Sequence, residues 1–257
     1  MAKRKTTAKK PTRKRKKNNG LMTYFLVALG IIIVGFVVNY AFKEKKKKAA
    51  IKKTHQLLAS IPKGYQALGI DVSHHQGKID WVDLFHENGY DTIIDFVYCK
   101  ATEGSDHIDT EWKRNRLFLN SYGVANGAYH FFNPTSDPIE QAEHFLTHWK
   151  ARSIDLPPVL DVERLGRNDG ELIANIIKWC EFVEAESGLK PIIYTSRYYF
   201  ESKFKQKLTN YQFWIASYTN DPQIKPLNNV VHWQFTDKGT IPGVKGNVDL
   251  NVSKIAF

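Results

Sequence analysis

Two acidic residues stand two positions apart at the end of one apolar run, and this pair is the part of the sequence best suited to chemistry. The run reads Leu156-Pro-Pro-Val-Leu-Asp161-Val-Glu163. A strand directs alternate residues to one face, so Asp161 and Glu163 would point the same way, with Cα atoms about 6.6 Å apart. Paired carboxyl groups in unlike surroundings act in glycoside hydrolysis, one as proton donor and the other as stabiliser of the developing cation.

Two further acids occupy similar places in the sequence. Asp71 lies at the end of the apolar segment 67–72, and Asp249 lies in Val248-Asp-Leu-Asn251. In a barrel of parallel strands the carboxyl ends meet at one mouth, where buried acids without a purpose would be costly. Each acid alone is also compatible with a loop cap or an ion pair, but the four together favour an active site.

Strand and helix patterns alternate after residue 67. The predicted strands are 67–72, 92–99, 124–132, 158–163 and 191–195, and the predicted helices are 81–85, 110–122, 137–150, 169–187 and a short one from residue 198. Three strands follow without helices, at 212–217, 230–236 and around 248–251, because Pro and Gly interrupt the gaps between them. Five βα units followed by three strands predict an α/β fold, either a barrel or a doubly wound sheet.

The positive charge of the chain is confined to its beginning. The 257 residues carry a net charge of +11, but 17 of the 37 Lys and Arg lie in residues 1–53, where Glu44 is the only acid. Residues 54–257 therefore carry a net charge of −5. Since the basic runs flank an apolar segment and no recognised binding module accompanies them, we expect no nucleic-acid partner.

Residues 21–42 contain no charged side chain. As a helix they span roughly 33 Å, compared with about 30 Å for the hydrocarbon core of a bilayer. No A-x-A pattern precedes Lys43, so an uncleaved anchor is favoured over a signal peptide. Ten basic residues before the segment and seven after it favour a cytoplasmic N-terminus. The predicted organisation is a tail at 1–20, a transmembrane helix at 21–42, a linker at 43–67 and a catalytic domain at 68–257.

Several motifs follow one another in a family-specific order. They are Gly69-Ile-Asp-Val-Ser-His-His-Gln-Gly77, Lys100-Ala-Thr-Glu-Gly104, Gly127-Ala-Tyr-His-Phe131, Leu160-Asp-Val-Glu163, Ile193-Tyr-Thr-Ser196, Trp214-Ile-Ala-Ser217, Trp233-Gln234 and Val248-Asp-Leu-Asn251. Together they resemble the glycoside hydrolase family 25 lysozymes over nearly all of residues 68–257. The resemblance implies an irregular TIM-like (β/α)5(β)3 barrel, here preceded by a single transmembrane helix.

The resemblance also implies a reaction and roles for residues. The expected reaction is hydrolysis of the β-1,4 bonds between N-acetylmuramic acid and N-acetylglucosamine in peptidoglycan, with no cofactor or metal, by a monomer on the wall side of the membrane. Glu163 resembles the general acid, Asp161 its partner that orients the substrate acetamido group or stabilises the intermediate, and Asp71 and Asp249 the two remaining acids. The predicted substrate contacts are Tyr129, Tyr194, Trp214, Trp233 and Gln234. The resemblance is compatible with retention through the acetamido group and with direct attack by water.

Three alternatives remain open on the sequence. The first is a non-catalytic glycan-binding barrel, since a fold alone does not confer activity, and the second is an enzyme specific for chitin. The third is a zinc amidase or peptidase using His74, His75, His130 or His232, although the stretch His86-Glu87 lacks the second histidine of a zincin motif. Cys99 and Cys180 are either free thiols or one disulfide.

Overall fold

The computed structural model describes residues 19–59, 64–85, 94–218 and 229–256. The chain divides into two compact units, one up to Lys46 and one from Lys47 onward. Most of the predicted tail, the stretch His86-Glu87, the first residues of the strand predicted at 92–99 and the segment containing Pro222 and Pro226 lie outside the described residues.

The first described element is the helix α1, Asn19–Ala59. Its section Met22–Ala49 is long and apolar enough to cross a membrane, and none of its most apolar window is buried. The helix continues past residue 42 into the predicted linker. The residues that follow are mostly Lys and Ala, which are strong helix formers, and neither Gly nor Pro occurs among them before Ala59.

Beyond the end of α1, the described residues of the second unit form nine strands and five further helices. The strands are β1 Ala67–Val72, β2 Phe96–Glu103, β3 His107–Ile108, β4 Ala125–Phe131, β5 Val159–Asp161, β6 Ile192–Ser196, β7 Gln212–Ala216, β8 Val230–Gly239 and β9 Val248–Ser253. The helices are α2 Trp81–Phe85, α3 Trp112–Ser121, α4 Pro138–His148, α5 Asp169–Ser187 and α6 Arg197–Tyr199, and a 3-10 turn at His74–Gln76 and a π-helical turn at Phe200–Phe204 complete the set.

Eight of these strands close into a barrel. The order β1-β9-β8-β7-β6-β5-β4-β2 is completed by a parallel pairing of β2 with β1. The neighbours from β1 through β8 pair in parallel, whereas β9 is antiparallel to both β8 and β1. The predicted (β/α)5(β)3 barrel is confirmed, and closure of the sheet excludes the doubly wound alternative. The prediction missed β3, which contributes only two residues beside the end of β2.

Local signals in the sequence explain where the helices begin and end. Asp137 accepts hydrogen bonds from the first backbone N–H groups of α4, and Pro138 occupies its first turn, where a missing N–H costs nothing. Asn168 caps α5 in the same way. Gly188 ends that helix in the left-handed conformation, at φ 72°, which glycine adopts without steric cost.

Aromatic rings fill the lower part of the barrel interior. Phe96, Tyr98 and Trp214 belong to one buried cluster inside the sheet, with Phe96 and Tyr98 projecting from β2. Two glycines make room for the rings, because a Cβ atom at Gly69 would overlap the Phe96 ring and one at Gly127 would overlap the Tyr98 ring. The aromatic layer therefore fills the interior below the carboxyl ends of the parallel strands, where the predicted acids lie.

Candidate active site

A cleft of about 260 Å³ lies at the carboxyl ends of the parallel strands. Eight of the nine predicted site residues line it: Asp71, Tyr129, Asp161, Glu163, Tyr194, Trp214, Gln234 and Asp249. Trp233 is absent from the lining, because its neighbours His232 and Gln234 take the interior positions of β8 and alternation turns Trp233 outward. It packs against Tyr65 and Phe235, and its Nε1 donates a hydrogen bond to the backbone oxygen of Ser217 at 2.9 Å.

Asp161 and Glu163 occupy the same side of the cleft at different depths. Asp161 ends β5 and is buried, whereas Glu163 follows two residues later and is exposed at the mouth. Burial and then the charges of Glu163 and Asp71 raise the pKa of Asp161 well above its ordinary value. Glu163 is exposed as a residue but lines the cleft, and partial desolvation of its carboxyl group there, followed by the charge of Asp71, raises its pKa, while the interaction with Asp161 opposes the rise. Both groups can therefore hold a proton at a pH where a free carboxyl group would be ionised.

One oxygen of Asp161 is available to a ligand. Its Oδ1 is buried and has no hydrogen-bond partner among the described residues. A buried carboxylate oxygen without a partner is costly, so a bound molecule that donates a hydrogen bond there would be stabilised.

Asp71 and Asp249 lie opposite each other on the other side of the cleft. They are directly paired in the antiparallel register of β1 and β9. Burial and the adjacent charge of Asp71 raise the pKa of Asp249 to about 8. Burial also raises the pKa of Asp71, but hydrogen bonds from Asn251 and Gln234 oppose that rise. The four acids predicted from the sequence are thus brought together around one space.

Lys100 places a positive charge in the same cleft. Its Nζ lies 2.6 Å from Oε2 of Glu103 and 4.7 Å from the centre of the Phe131 ring. The guanidinium group of Arg164 lies 4.6 Å from the centre of the same ring and also pairs with Glu103. Lys100 opposes the rise in pKa of both Asp161 and Glu163. The cleft is therefore not purely acidic.

A wider depression of about 670 Å³ shares His75 and Lys100 with the cleft. Among its lining residues, His74 is held by Asp109, whose Oδ2 contacts both the backbone nitrogen and Nδ1 of His74. The two spaces adjoin at His75 and Lys100, and together they are called the groove.

Some residues of the site received no role from the sequence. Lys100, Phe131 and Asn251 each occur in one of the motifs quoted above. For Lys100 the alternation of β2 was the available signal, since Phe96, Tyr98 and Lys100 fall on one face. For Asn251 the signal was its spacing of two from Asp249.

Comparison with known proteins agrees with this geometry. The sequence profile of glycosyl hydrolases family 25 matches residues 70–244. The chain belongs to glycosyl hydrolase family 25. It is 32% identical over 234 residues to the uncharacterized protein YegX of Escherichia coli K12, with 89% of this chain and 81% of that protein covered.

A curated lysozyme and a solved structure are also similar to this family 25 hydrolase. The autolytic lysozyme of Clostridium acetobutylicum is 29% identical, over 71% of this chain and 54% of that protein. A family 25 glycosyl hydrolase from Bacillus anthracis superposes with a TM-score of 0.66 at 29% identity, over 75% of this chain and 90% of that structure. The chain is accordingly a glycoside hydrolase with muramidase activity that acts on peptidoglycan.

Two histidines considered as zinc ligands are buried in the family 25 hydrolase. Nδ1 of His130 contacts Thr102 at 2.8 Å and Nε2 contacts Gln141 at 3.2 Å. Burial lowers the pKa of His130 and of His232 to about 3. Across the described ranges, no group of three or more His, Cys, Asp or Glu side chains is arranged to hold a metal ion. Cys99 and Cys180 are both buried free thiols.

Asp249 should make the stability of the family 25 hydrolase depend on pH. Its raised pKa means that the folded state keeps a proton that the unfolded state releases between pH 3.8 and about 8. The stabilisation is complete below 3.8 and is lost as the pH rises through about 8. We expect the melting temperature of Asp249→Asn to fall less across this range than that of the wild type, in thermal unfolding of the full-length protein in detergent.

Asp106→Asn is the matched control for this comparison, because Asp106 is an exposed acid that does not line the cleft. It should reproduce the wild-type dependence on pH. If the melting temperature of Asp249→Asn depended on pH as strongly as that of the wild type, the raised pKa of Asp249 in the folded state would be contradicted.

Proposed function

We propose that the protein is a membrane-anchored lysozyme that hydrolyses the β-1,4 bond between N-acetylmuramic acid and N-acetylglucosamine on the outer side of the membrane. In this proposal Glu163 is the general acid and Asp161 orients the acetamido group of the substrate. The observation that carries it is the meeting of Asp71, Asp161, Glu163 and Asp249 in one cleft of a family 25 barrel.

The different depths of Asp161 and Glu163 in the cleft fit these roles. Glu163, at the exposed mouth, can reach the oxygen of a bond that lies across the cleft and protonate it as the bond to the anomeric carbon breaks. Asp161, deeper in the cleft, can accept the acetamido N–H on its free Oδ1. The acetamido oxygen then bonds to the anomeric carbon. Water subsequently opens this intermediate and gives its proton to the Glu163 carboxylate.

The closeness of the two acids supports retention of configuration. Asp161 and Glu163 are two residues apart and line the same side of the cleft. Inverting glycosidases keep their two carboxyl groups about 6.5–9.5 Å apart to hold a water molecule between them. A pair on one side of the cleft is not arranged to hold a water molecule across the bond, which favours attack by the acetamido group of the substrate over attack by water.

The apolar section of α1 supports the anchoring part of the proposal. Met22–Ala49 has the length and composition of a membrane span. The enzyme's substrate lies outside the cytoplasm, so the barrel, which follows the span, should be on the wall side and the basic N-terminal tail on the cytoplasmic side. The domains follow as proposed from the sequence: tail 1–20, span 21–42, linker 43–67 and catalytic domain 68–257. We further propose that the tethered enzyme turns over the cell's own wall, a proposal that lysis of neighbouring competitors by intact cells would contradict.

Glu163→Gln should lower the rate of peptidoglycan cleavage by about 10²–10⁴-fold, because glutamine cannot donate the proton. The measurement is mass spectrometry of reducing ends released from purified peptidoglycan by the full-length protein in detergent. New ends should carry muramic acid, and excess EDTA should not change the wild-type rate.

Glu171→Gln is the matched control, since Glu171 is an exposed acid in the first turn of α5. It should retain the wild-type rate. Full activity in Glu163→Gln would remove Glu163 from the mechanism. A folded wild type that binds peptidoglycan without cutting it would favour the glycan-binding alternative, and cleavage of chitin oligomers in preference to peptidoglycan would favour the chitin-specific one.

The first product released should be the β-anomer, since attack by the acetamido group followed by attack of water inverts the anomeric carbon twice. Proton NMR of soluble glycan fragments during the first turnovers distinguishes this product from the α-anomer before mutarotation mixes them. An initial α-anomer would rule out the retaining mechanism.

Full-length protein should remain in the membrane fraction after alkaline carbonate washing. Protease added to intact spheroplasts should digest the barrel and leave an N-terminal epitope tag protected. The double variant Ile33→Lys, Val34→Lys, which places two charges in the apolar section, should be released far more readily because charges near a bilayer centre are costly. Protection of the barrel from external protease would reverse the proposed orientation.

A further inference from the structure

The environment of Asp71 and Asp249 favours a state in which one of the two carboxyl groups is protonated. The two residues are register partners on β1 and β9, and both side chains line the cleft, so their carboxyl groups lie side by side. Ionised carboxylates only accept hydrogen bonds, so a hydrogen bond between these two would require a proton on one. Two like charges this close also cannot both persist at low cost in a desolvated cleft. The surrounding hydrogen bonds favour one member as the carrier of that proton.

The orientation of Asn251 is determined by an indole group. The Oδ1 atom of Asn251 accepts a hydrogen bond from Nε1 of Trp214 at 2.9 Å. An indole N–H can only donate, so the amide oxygen must face Trp214 and the amide NH2 must face away from it. That NH2 donates to Oδ2 of Asp71 at 2.8 Å. Asn251 is fully buried, so water does not compete for these contacts.

Gln234 makes a second contact of the same kind. Its Oε1 accepts hydrogen bonds from the hydroxyl groups of Tyr194, at 2.8 Å, and Tyr218, at 2.6 Å. Its NH2 faces Asp71 and donates to the same Oδ2 atom at 2.9 Å. Two amide NH2 groups thus converge on one oxygen. Hydrogen bonds donated to a carboxylate stabilise its ionised form, so these two donors favour the charged state of Asp71 over the protonated one.

We propose that the Asp71–Asp249 pair holds one proton, that this proton lies on Asp249, and that Gln234 and Asn251 are the positioning residues that keep Asp71 as the carboxylate. Asp249 then donates its O–H to Asp71, and the pair carries a single negative charge on Asp71. This inference rests on the proposed function for its catalytic meaning but not for its geometry.

The negative charge on Asp71 affects the two acids on the opposite side of the cleft. It is the second cause, after burial, of the raised pKa of Glu163, and it also raises the pKa of Asp161. An anion held at Asp71 thus helps to keep a proton on the side of the cleft where the general acid needs one. It would also stabilise positive charge developing on a sugar ring bound between the two sides. Asn251 acts on the reaction through Asp71, and the NH2 group of Gln234 acts through the same carboxylate.

Other titratable and charged groups also face the pair or the acids opposite it. They are Cys99, Lys100, Glu103, Tyr129, Asp161, Glu163, Tyr194, Tyr218 and Asp237. Burial and nearby acids raise the pKa values of Tyr129, Tyr194 and Tyr218, and burial raises that of Cys99, so these four groups stay neutral. Lys100 acts on Asp161 and Glu163 from the opposite side, and Asp237 adds to the repulsion that keeps Asp249 protonated.

The test is carbon-13 NMR of the full-length protein in detergent micelles, with aspartate labelled in its side-chain carboxyl group. Asp71→Asn and Asp249→Asn identify the two signals. At a pH between 3.8 and about 8, Asp249 should show the shift of a carboxylic acid and Asp71 that of a carboxylate. A protonated Asp71, or two ionised groups in this range, would overturn the proposal.

Two variants test the positioning role. Asn251→Leu and Gln234→Met each remove one donor to Asp71 with little change in side-chain volume, so the proton should shift toward Asp71 and the two carboxyl signals should converge. Either variant that keeps a cooperative unfolding transition suffices for the test, and signals as far apart as in the wild type in that variant would refute the role. Asn168→Ser keeps a helix cap and removes an amide that does not contact Asp71, so it should leave both signals unchanged.

Cleavage of peptidoglycan is measured on the same samples, which separates the two proposals. Wild type with the proton on Asp249 but without cleavage would refute the proposed function alone. Cleavage with the proton elsewhere would refute only this inference.

Discussion

Four carboxyl groups share one small cleft, and their mutual repulsion is the constraint that organises the surrounding residues. In water all four would be ionised at neutral pH. In the cleft, burial and neighbouring charges raise the pKa values of Asp161, Glu163 and Asp249. The protein relieves this repulsion by distributing protons and by supplying donors, rather than by neutralising each acid with a cation. Such crowding is unfavourable for stability, and it is the condition that gives a carboxyl group a proton to donate.

The closed barrel makes this arrangement possible. Its interior below the cleft is filled by Phe96, Tyr98 and Trp214, which exclude water and lower the local dielectric. Trp214 also donates from the aromatic layer to Asn251, so the apolar floor and the polar site are joined by a directed hydrogen bond. Gly69 and Gly127 leave the space that these rings need. The packing of the aromatic layer and the positions of the site residues above it therefore depend on the same strands.

The N-terminal part of the chain is basic, and the part that contains the barrel is acidic. The basic residues flank the uncharged stretch 21–42, whereas residues 54–257 carry a net charge of −5. Bulk attraction does not bring an acidic domain to an anionic wall polymer. Recognition must therefore rest on contacts within the groove, in which Lys100 is one positive group. A membrane tether would supply the nearness to substrate that bulk charge does not.

Much of the fold could be predicted, because its signals are local. Alternation of apolar strands with helices, Asp137 and Gly188 at helix ends, and Pro and Gly in the last gaps determine the count of five βα units and three strands. The same applies to the apolar section of α1. The end of that helix was less predictable, because the charges after residue 42 mark the end of an apolar run and do not oppose helix formation.

Some features of the active site could be predicted from the sequence, and others depend on the tertiary structure. The identity of the acids and their places at strand ends were visible in the sequence, since residue type and period-two alternation determine which side chains can meet at a barrel mouth. That Asp71 faces Asp249, that Asn251 and Gln234 converge on one oxygen, and that Trp233 turns outward were decided only by tertiary structure. These facts depend on the register between strands far apart in the chain, including the irregularities of β8. A shift of one residue there would exchange the two faces of the strand, and no local pattern encodes that choice.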